Sequence, residues 1–420
     1  MANKQFTMHY IGFPHLPLAK KYLSCAFTQK NLKLCKMLTS LGHTVNFYGV
    51  RSTEEEPIEN YINSDNFHFI EIHTVQDIAK AYGEADNRFE LGYDFVKKNF
   101  ITDYGNKNQL SVDFCNKVAD KINAVKKPDD FLLNIMGYAF KPIADKVNLY
   151  LDCEPGIGYH GSYPHTKEKP HFRGFESAHV RDIMYGFENP FKDVNGSHYD
   201  RVIPNYFDLD DFEFRAEKDD YYVYIGRMIA RKGIAIATTV CNAIGKKLII
   251  AGPSAKVLPN GTLNSGDLDI PAGSWEYVGF ADSEKRKELL AGAIATFVPS
   301  VYQEPFAGTH VESRLSGTPV LTTNFGVFSG TVENGVDGYA CDTIDDFVWG
   351  AKHCKDLDPY IIRKRAERYS MDNVKWEFQK WFEDLHDLYL STTDKKYRGW
   401  GTVRKEEPEF RKHLFYNNKE

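Results

Sequence analysis

The sequence contains no CxxC pair, and its seven cysteines stand far apart at 25, 35, 115, 153, 241, 341 and 354. An odd number so scattered argues against a disulfide framework and reads as reduced thiols in a cytoplasmic protein. No apolar run approaches the ~20 residues of a membrane span, and the start, MANKQFTMHYIGF, has no long apolar core of a secretory leader. Charge of one sign is lacking too: 52 basic against 58 acidic side chains leave a net charge of −6. That balance argues against a nucleic-acid partner reached by general electrostatics, so a bound anion must be held by local groups. There is no low-complexity tract and no internal repeat shorter than a domain. The sequons at Asn195 and Asn260 are Asn-Gly turn sequences.

What is present is length and rhythm. A chain of 420 residues exceeds what one core supports and predicts two domains of roughly 200 residues. Short apolar runs alternate with helical patterns, the βαβα signature of parallel sheets covered on both faces. Strands are expected at 6–13, 44–50, 67–73, 131–136 and 147–152, then at 221–226, 247–252, 275–280, 294–300 and 319–324. Between the two sets, residues 201–220 break both periodicities with a proline, aromatics and acids, and read as a linker. Val374, Phe378, Trp381, Phe382, Leu385 and Leu388 recur at helical spacing over 372–390. The mixed residues after about 391 read as a tail that wraps the surface or frays. The expected architecture is therefore two doubly wound Rossmann-like domains, 1–203 and 204–371, followed by a helix and tail, 372–420, packing back on the first. Two such domains facing one another would place a ligand cleft at the carboxyl ends of their strands.

The second set of strands carries the chemistry. Its first strand runs into IGRMIARKG (225–233), where a glycine turn is followed by Arg227, Arg231 and Lys232. Guanidinium and ammonium groups at a strand exit suit a diphosphate. Further on, VYQEPFAGTHVE (301–312) places Glu304 in a loop and Glu312 one turn into a helix that opens at Gly308-Thr309. Amides at such a start favour a phosphate, and glycine allows close approach. Glu312 is placed to accept hydrogen bonds from vicinal ribose hydroxyls, with Glu304 at the other end of the same ligand. Groups for hydroxyls, a diphosphate and a sugar in that order describe a nucleotide-sugar site.

These residues resemble the donor-binding half of retaining glycosyltransferases of the glycogen-synthase-like, family-four type. The likeness rests on YIGRMIARKG, PSVYQEPFAGTHVE, SGTPVLTTNFG and ENGVDGY, together with the linker IPNYFDLDDF (203–212). It implies the two-domain GT-B fold and a cytoplasmic hexosyltransferase using a UDP- or GDP-sugar without a metal or other cofactor. It also implies that Arg227 and Lys232 bind the diphosphate, that Glu304 contacts the transferred sugar and that Glu312 takes the ribose. Phe306, Gly308 and Thr309 of the same motif are grouped with these donor contacts. The chain departs from the pattern at Ala307-Gly308, where Gly-Leu is usual, and at Gly330, where a glutamate is frequent.

The first half matches more weakly. Gly12 and Phe13, in the loop after the first strand, are donor-site candidates by position. The resemblance also implies a histidine facing the transferred sugar, and His160 matches it best, with His165 as the alternate. The literal GxGxxG at Gly156, Gly158 and Gly161 is followed by SYPHTKEKP, which cannot open the helix that a dinucleotide fingerprint needs. The spacings of His160, His165, His171 and Cys153 fit no common zinc frame. The DLD triplets at 208–210, 267–269 and 356–358 follow no hydrophobic strand and give no metal site. Lysines 20, 21, 30, 33 and 36 form a basic face that reads as solvated surface or as a contact for an anionic acceptor or peripheral membrane. Expected partners are the donor and a glycan, lipid-linked or protein acceptor. A phosphorylase, a nucleotide-sugar epimerase and a non-catalytic sugar-nucleotide binder remain open.

Overall fold

A computed structural model describes residues 3–14, 16–19, 26–52, 58–81, 109–158, 161–166, 169–188, 197–253, 255–393 and 408–416. The chain divides into two compact units: Met1–Glu176, Val180–Ile203 and Lys375–Glu420 form the first, and Ser177–His179 with Pro204–Val374 the second.

The first unit is built on strands β1 (Thr7–Ile11), β2 (Thr44–Arg51), β3 (Phe67–Thr74), β4 (Phe131–Leu133), β5 (Leu151–Ile157), β6 (Phe172–Phe175) and β7 (Arg201–Val202). They lie side by side in the order β3-β2-β1-β4-β5-β6-β7, every pair parallel. Central strands such as β4 and β6 are buried throughout, so they read as unbroken apolar runs rather than alternating ones. The helix Met371–Thr393 contributes Trp381, whose indole donates to the Tyr199 carbonyl at 2.9 Å, and Phe382, which meets Phe131 and His43 edge-on. The helical stripe seen in the sequence is thus a packing face. The tail's described piece also packs: Phe410 is buried and His413 stacks on Trp376 at 4.0 Å.

The second unit repeats the plan with β8 (Tyr222–Ile225), β9 (Leu248–Ala251), three short strands β10 (Lys256–Val257), β11 (Leu263–Asn264) and β12 (Asp269–Ile270), then β13 (Trp275–Tyr277), β14 (Thr296–Val298), β15 (Val320–Thr323) and β16 (Gly338–Cys341). The main sheet runs β13-β9-β8-β14-β15-β16, all parallel, and β10–β12 form a separate antiparallel sheet. In both units the first strand sits at the middle and the order reverses beside it, at β1/β4 and at β8/β14. The loops leaving the strands on either side of that reversal diverge and open a crevice, where open α/β sheets bind ligands.

Several sequence expectations need correction. The run VNLYLD at 147–152 is not a strand from its start, because the helix Lys141–Val147 ends there on Asn148 in a left-handed conformation (φ 51°) and β5 begins only at Leu151. The expected linker begins too early, since Arg201–Val202 pair with β6 as an edge strand. The strands β6 and β16 and the small sheet are additions to the expected set. The described cysteines, Cys35, Cys115, Cys153, Cys241, Cys341 and Cys354, are buried free thiols. Among the described residues no helix is long and apolar enough to cross a membrane.

Candidate active site

Two loops on either side of the β8/β14 reversal bring Lys232 and Glu304 together. After β8 the chain turns through Ala230–Lys232 and caps that turn with Gly233 in a left-handed conformation (φ 73°). A Cβ on Gly233 would overlap the Pro299 carbonyl oxygen, so only glycine lets this turn close on the loop leaving β14. The two loops are then tied by Val301 N–H donating to the Arg231 carbonyl at 2.9 Å. Asp267, carried by the small sheet, accepts from Ala230 N–H at 2.6 Å and fixes the turn from the other side.

This closure sets Lys232 Nζ 2.6 Å from Glu304 Oε1. Ser300 donates to the same oxygen at 2.6 Å and Tyr302 to Oε2 at 2.8 Å. Arg231 and Lys232 both stand over the Tyr302 ring, at 4.9 and 5.1 Å. Burial pushes the Glu304 carboxyl up, but the Lys232 charge and the hydrogen bonds from Lys232, Ser300 and Tyr302 outweigh it and hold the pKa below the ordinary 4.5. Glu304 is therefore an ionised, enclosed carboxylate, whereas the Lys232 side chain keeps 22% of its surface in solvent. Arg227 is exposed, with its backbone carbonyl held by the Tyr224 hydroxyl at 3.1 Å.

Beyond Glu304 the loop is shaped by Phe306, buried against Phe207, His310 and Tyr369. The Phe306 ring anchors the loop in the core rather than offering a face to a ligand. Ala307 follows with φ 61°, one of three non-glycine residues with positive φ among those described. Left-handed backbone costs an L-residue roughly 1–2 kcal/mol. The departure Ala307-Gly308 thus places the alanine where the backbone favours glycine, while Gly308 itself is right-handed (φ −39°).

The helix Thr309–Leu315 starts next. Its His310, Val311 and Glu312 amides are already committed to the Ala307 and Gly308 carbonyls, so the sequence reading credited this start with more free amides than it has. Glu312 is held by Arg286, whose Nε lies 2.6 Å from Oε2 and whose Nη2 also donates to Oε2. The same Nη2 reaches Thr309 Oγ1 at 3.1 Å. Arg286 was not picked out from the sequence. It sits in SEKRKELLAG, a strongly charged helix with no marked apolar stripe, and only the tertiary contact reveals it.

The Gly326–Gly330 turn ends at Gly330, where an added Cβ would meet nothing within 4 Å. The missing glutamate is therefore not imposed by crowding.

In the first unit, Gly12 follows β1 and its N–H donates to the Tyr48 carbonyl at 2.7 Å. A Cβ on Gly12 would press within 2.6 Å of the Phe47 ring. Phe13 is buried. His160 lies outside the described residues, as do Lys20 and Lys21. Lys30 turns inward to Glu176 Oε1 at 2.7 Å. His165 is exposed, and its Nδ1 accepts from His171 N–H at 3.4 Å.

The same unit holds a polar cluster around His171, weighed from the sequence only as a zinc ligand, with Asp152 and Glu154, which the sequence did not single out. His171 lies 3.1 Å from both Asp152 Oδ2 and Glu154 Oε2, with all three side chains at most 1% exposed. Tyr163 donates to Asp152 at 2.8 Å and stacks on His171 at 3.7 Å, and Ser162 donates to Glu154. Burial pushes the imidazole down, but the two carboxylates outweigh it and raise its pKa to about 9.

Residues 207–352, all of which lie within the second unit, match the family model of glycosyl transferases group 1. A glycogen synthase of Mycobacterium tuberculosis is 29% identical over 161 residues, 37% of this chain and 38% of that relative. The chain thus matches well under half of the relative's length. Among solved structures, sucrose-phosphate synthase from Thermosynechococcus elongatus superposes with TM-score 0.59 at 15% identity, covering 91% of this chain and 99% of that one. A glycosyltransferase involved in avilamycin A biosynthesis gives 0.54 at 16%, covering 91% and 98%. The Anabaena protein HepE, solved with UDP and glucose, gives 0.52 at 11%, covering 90% and 99%. The fold is GT-B, two Rossmann-like α/β units with a helical C-terminus.

Proposed function

We propose that the protein is a retaining hexosyltransferase that moves a sugar from a UDP- or GDP-sugar to a hydroxyl of a glycan, lipid-linked or protein acceptor. The observation that carries this reading is the Lys232–Glu304 pair at 2.6 Å, built at the strand reversal of a group 1 glycosyltransferase domain. A partly exposed ammonium beside an enclosed carboxylate can turn to a diphosphate, leaving Glu304 with its Ser300 and Tyr302 donors to accept from a sugar hydroxyl as well.

In this reading Arg227 and Lys232 bind the diphosphate, with Gly308 and Thr309 beside it, and Glu312 takes the ribose. The reaction breaks the bond between the anomeric carbon and the diphosphate oxygen and forms one to the acceptor oxygen. The acceptor's proton passes to a leaving phosphate oxygen on the same face, which keeps the anomeric configuration. Charge builds on the leaving diphosphate, so cations fixed beside it contribute most to lowering the barrier. That role falls here to Arg227 and Lys232, with no metal required.

The test is product analysis. UDP- and GDP-sugars are incubated with acceptor panels and the new linkage is read by NMR. An α-linked product from an α-linked donor supports the reading, whereas inversion, or a free or epimerised sugar as the only product even with an acceptor present, would overturn it.

A further inference from the structure

We propose that Arg286 is a positioning residue that clamps one oxygen of Glu312, so that the other reads the ribose hydroxyls of a nucleoside diphosphate. This rests on the reading above, in which Glu312 meets the ribose.

The geometry is one-sided. Both guanidinium contacts fall on Oε2, through Nε at 2.6 Å and through Nη2. Among the described residues no hydrogen bond falls on Oε1. Oε1 instead faces Gly308, lying 3.5 Å from where a Cβ on that residue would stand. A Cβ there would stand in ordinary van der Waals contact with the oxygen, so glycine at 308 leaves that side of Oε1 uncovered.

The clamp is itself anchored at both ends. Arg286 belongs to the helix Ser283–Gly292, whose start is capped by the Asp282 side chain accepting from Lys285 N–H at 2.9 Å. Its guanidinium also holds Thr309 Oγ1 at 3.1 Å on the other helix. A carboxylate free to rotate could offer either oxygen in many directions. One fixed by a two-bond guanidinium contact offers a single oxygen in one direction, and this planar fork is what distinguishes arginine from lysine. Arg286 also sets a positive charge against Glu312, which would otherwise stand uncompensated beside a diphosphate.

The readout is the ratio of affinities for a ribonucleotide and its deoxy analogue, measured on the full chain with UDP, GDP and their 2′-deoxy and 3′-deoxy forms. Wild type should favour the ribonucleotide of its preferred base by about tenfold or more, the scale of one hydrogen bond to a charged group. In Arg286→Leu the ratio should fall to about twofold or less while the melting profile stays cooperative. Arg286→Lys should recover only part of it. Should Arg286→Leu fail to fold, Thr309→Val removes the second anchor and should lower the ratio by a smaller factor.

A folded Arg286→Leu, or Thr309→Val in its place, that keeps the full wild-type ratio would overturn the clamp while leaving the donor site standing. Wild type that binds a nucleoside diphosphate without ribose preference would overturn both the clamp and the role of Glu312. Wild type that binds none of these nucleotides would overturn the donor-site reading and the clamp with it.

Discussion

The two units share one strand order, yet their enclosed carboxylates are used in opposite ways. In the first, Asp152 and Glu154 close on His171 with no more than 1% of any of the three side chains exposed. In the second, Glu304 is equally enclosed but its partner Lys232 is 22% exposed, at the exits of the strands beside the reversal. A cation sealed on every side can only hold the fold together. A cation with one side in solvent can exchange its partner for a ligand. On the proposed function the first cluster is structural and the second binds the donor, although both are carboxylate and base at hydrogen-bonding distance.

The largest effect that sharpens this contrast is on stability. His171→Ala leaves two carboxylates buried without their cation, a loss on the scale of about 3–5 kcal/mol, to be read as a fall in denaturation midpoint. An unchanged midpoint would show that the cluster is not held by charge. Wild type carries the same signature in its pH dependence. The folded pKa of His171, about 9, is above the ordinary 6.5, so its contribution is complete below about 6.5 and is lost as pH rises through about 9. Glu304 is held below its ordinary 4.5, so its contribution is present above that value and is lost as pH falls through the lowered pKa. Melting temperature should therefore decline on the alkaline side through the first unit's cluster and on the acid side through the second's. His171→Ala should remove the alkaline limb and spare the acid one.

Next in size are the losses of activity. Lys232→Ala and Glu312→Ala should each lower turnover of the preferred sugar nucleotide by at least ~100-fold, as for removal of one strong electrostatic contact. His171→Ala should have far less effect on turnover at temperatures where it stays folded. Full activity in both second-unit variants would erase the distinction between the clusters.

The smallest effect concerns the strained loop. Ala307→Gly removes left-handed alanine (φ 61°), a relief of roughly 1–2 kcal/mol, offset by the added freedom of the unfolded chain of roughly 0.4–1 kcal/mol. A net gain of up to about 1.6 kcal/mol in denaturant unfolding is expected. A clear loss would mean that the Ala307 methyl makes contacts outweighing the strain.

What the sequence disclosed follows from where information is local. Strands such as YVYI and TFV are buried whole and announce themselves as apolar runs, and Trp381 and Phe382 announce the last helix by their spacing. The turn at Gly233 and the loop through Glu304 and Glu312 were legible because their chemistry is contiguous. Arg286 was not, because it lies in a charged helix far along the chain from Glu312 and gains meaning only by meeting it. The Asp152–Glu154–His171 cluster stayed hidden for the same reason: burial, which turns three ordinary polar residues into a coupled network, is not written in their spacing. VNLYLD misled because a helix end and a strand start share one apolar run, separated only by the left-handed Asn148.

The central claim is that the loops on either side of the β8/β14 reversal hold a nucleoside diphosphate sugar through Lys232 and Glu312. Thermal melting of wild type with UDP, GDP and their sugars tests it most directly, since a ligand at 100 times its Kd stabilises by about 2.7 kcal/mol. A clear rise with one base family is expected, absent in Lys232→Ala and Glu312→Ala. No rise with any of these nucleotides, or the same rise in both variants, would contradict it.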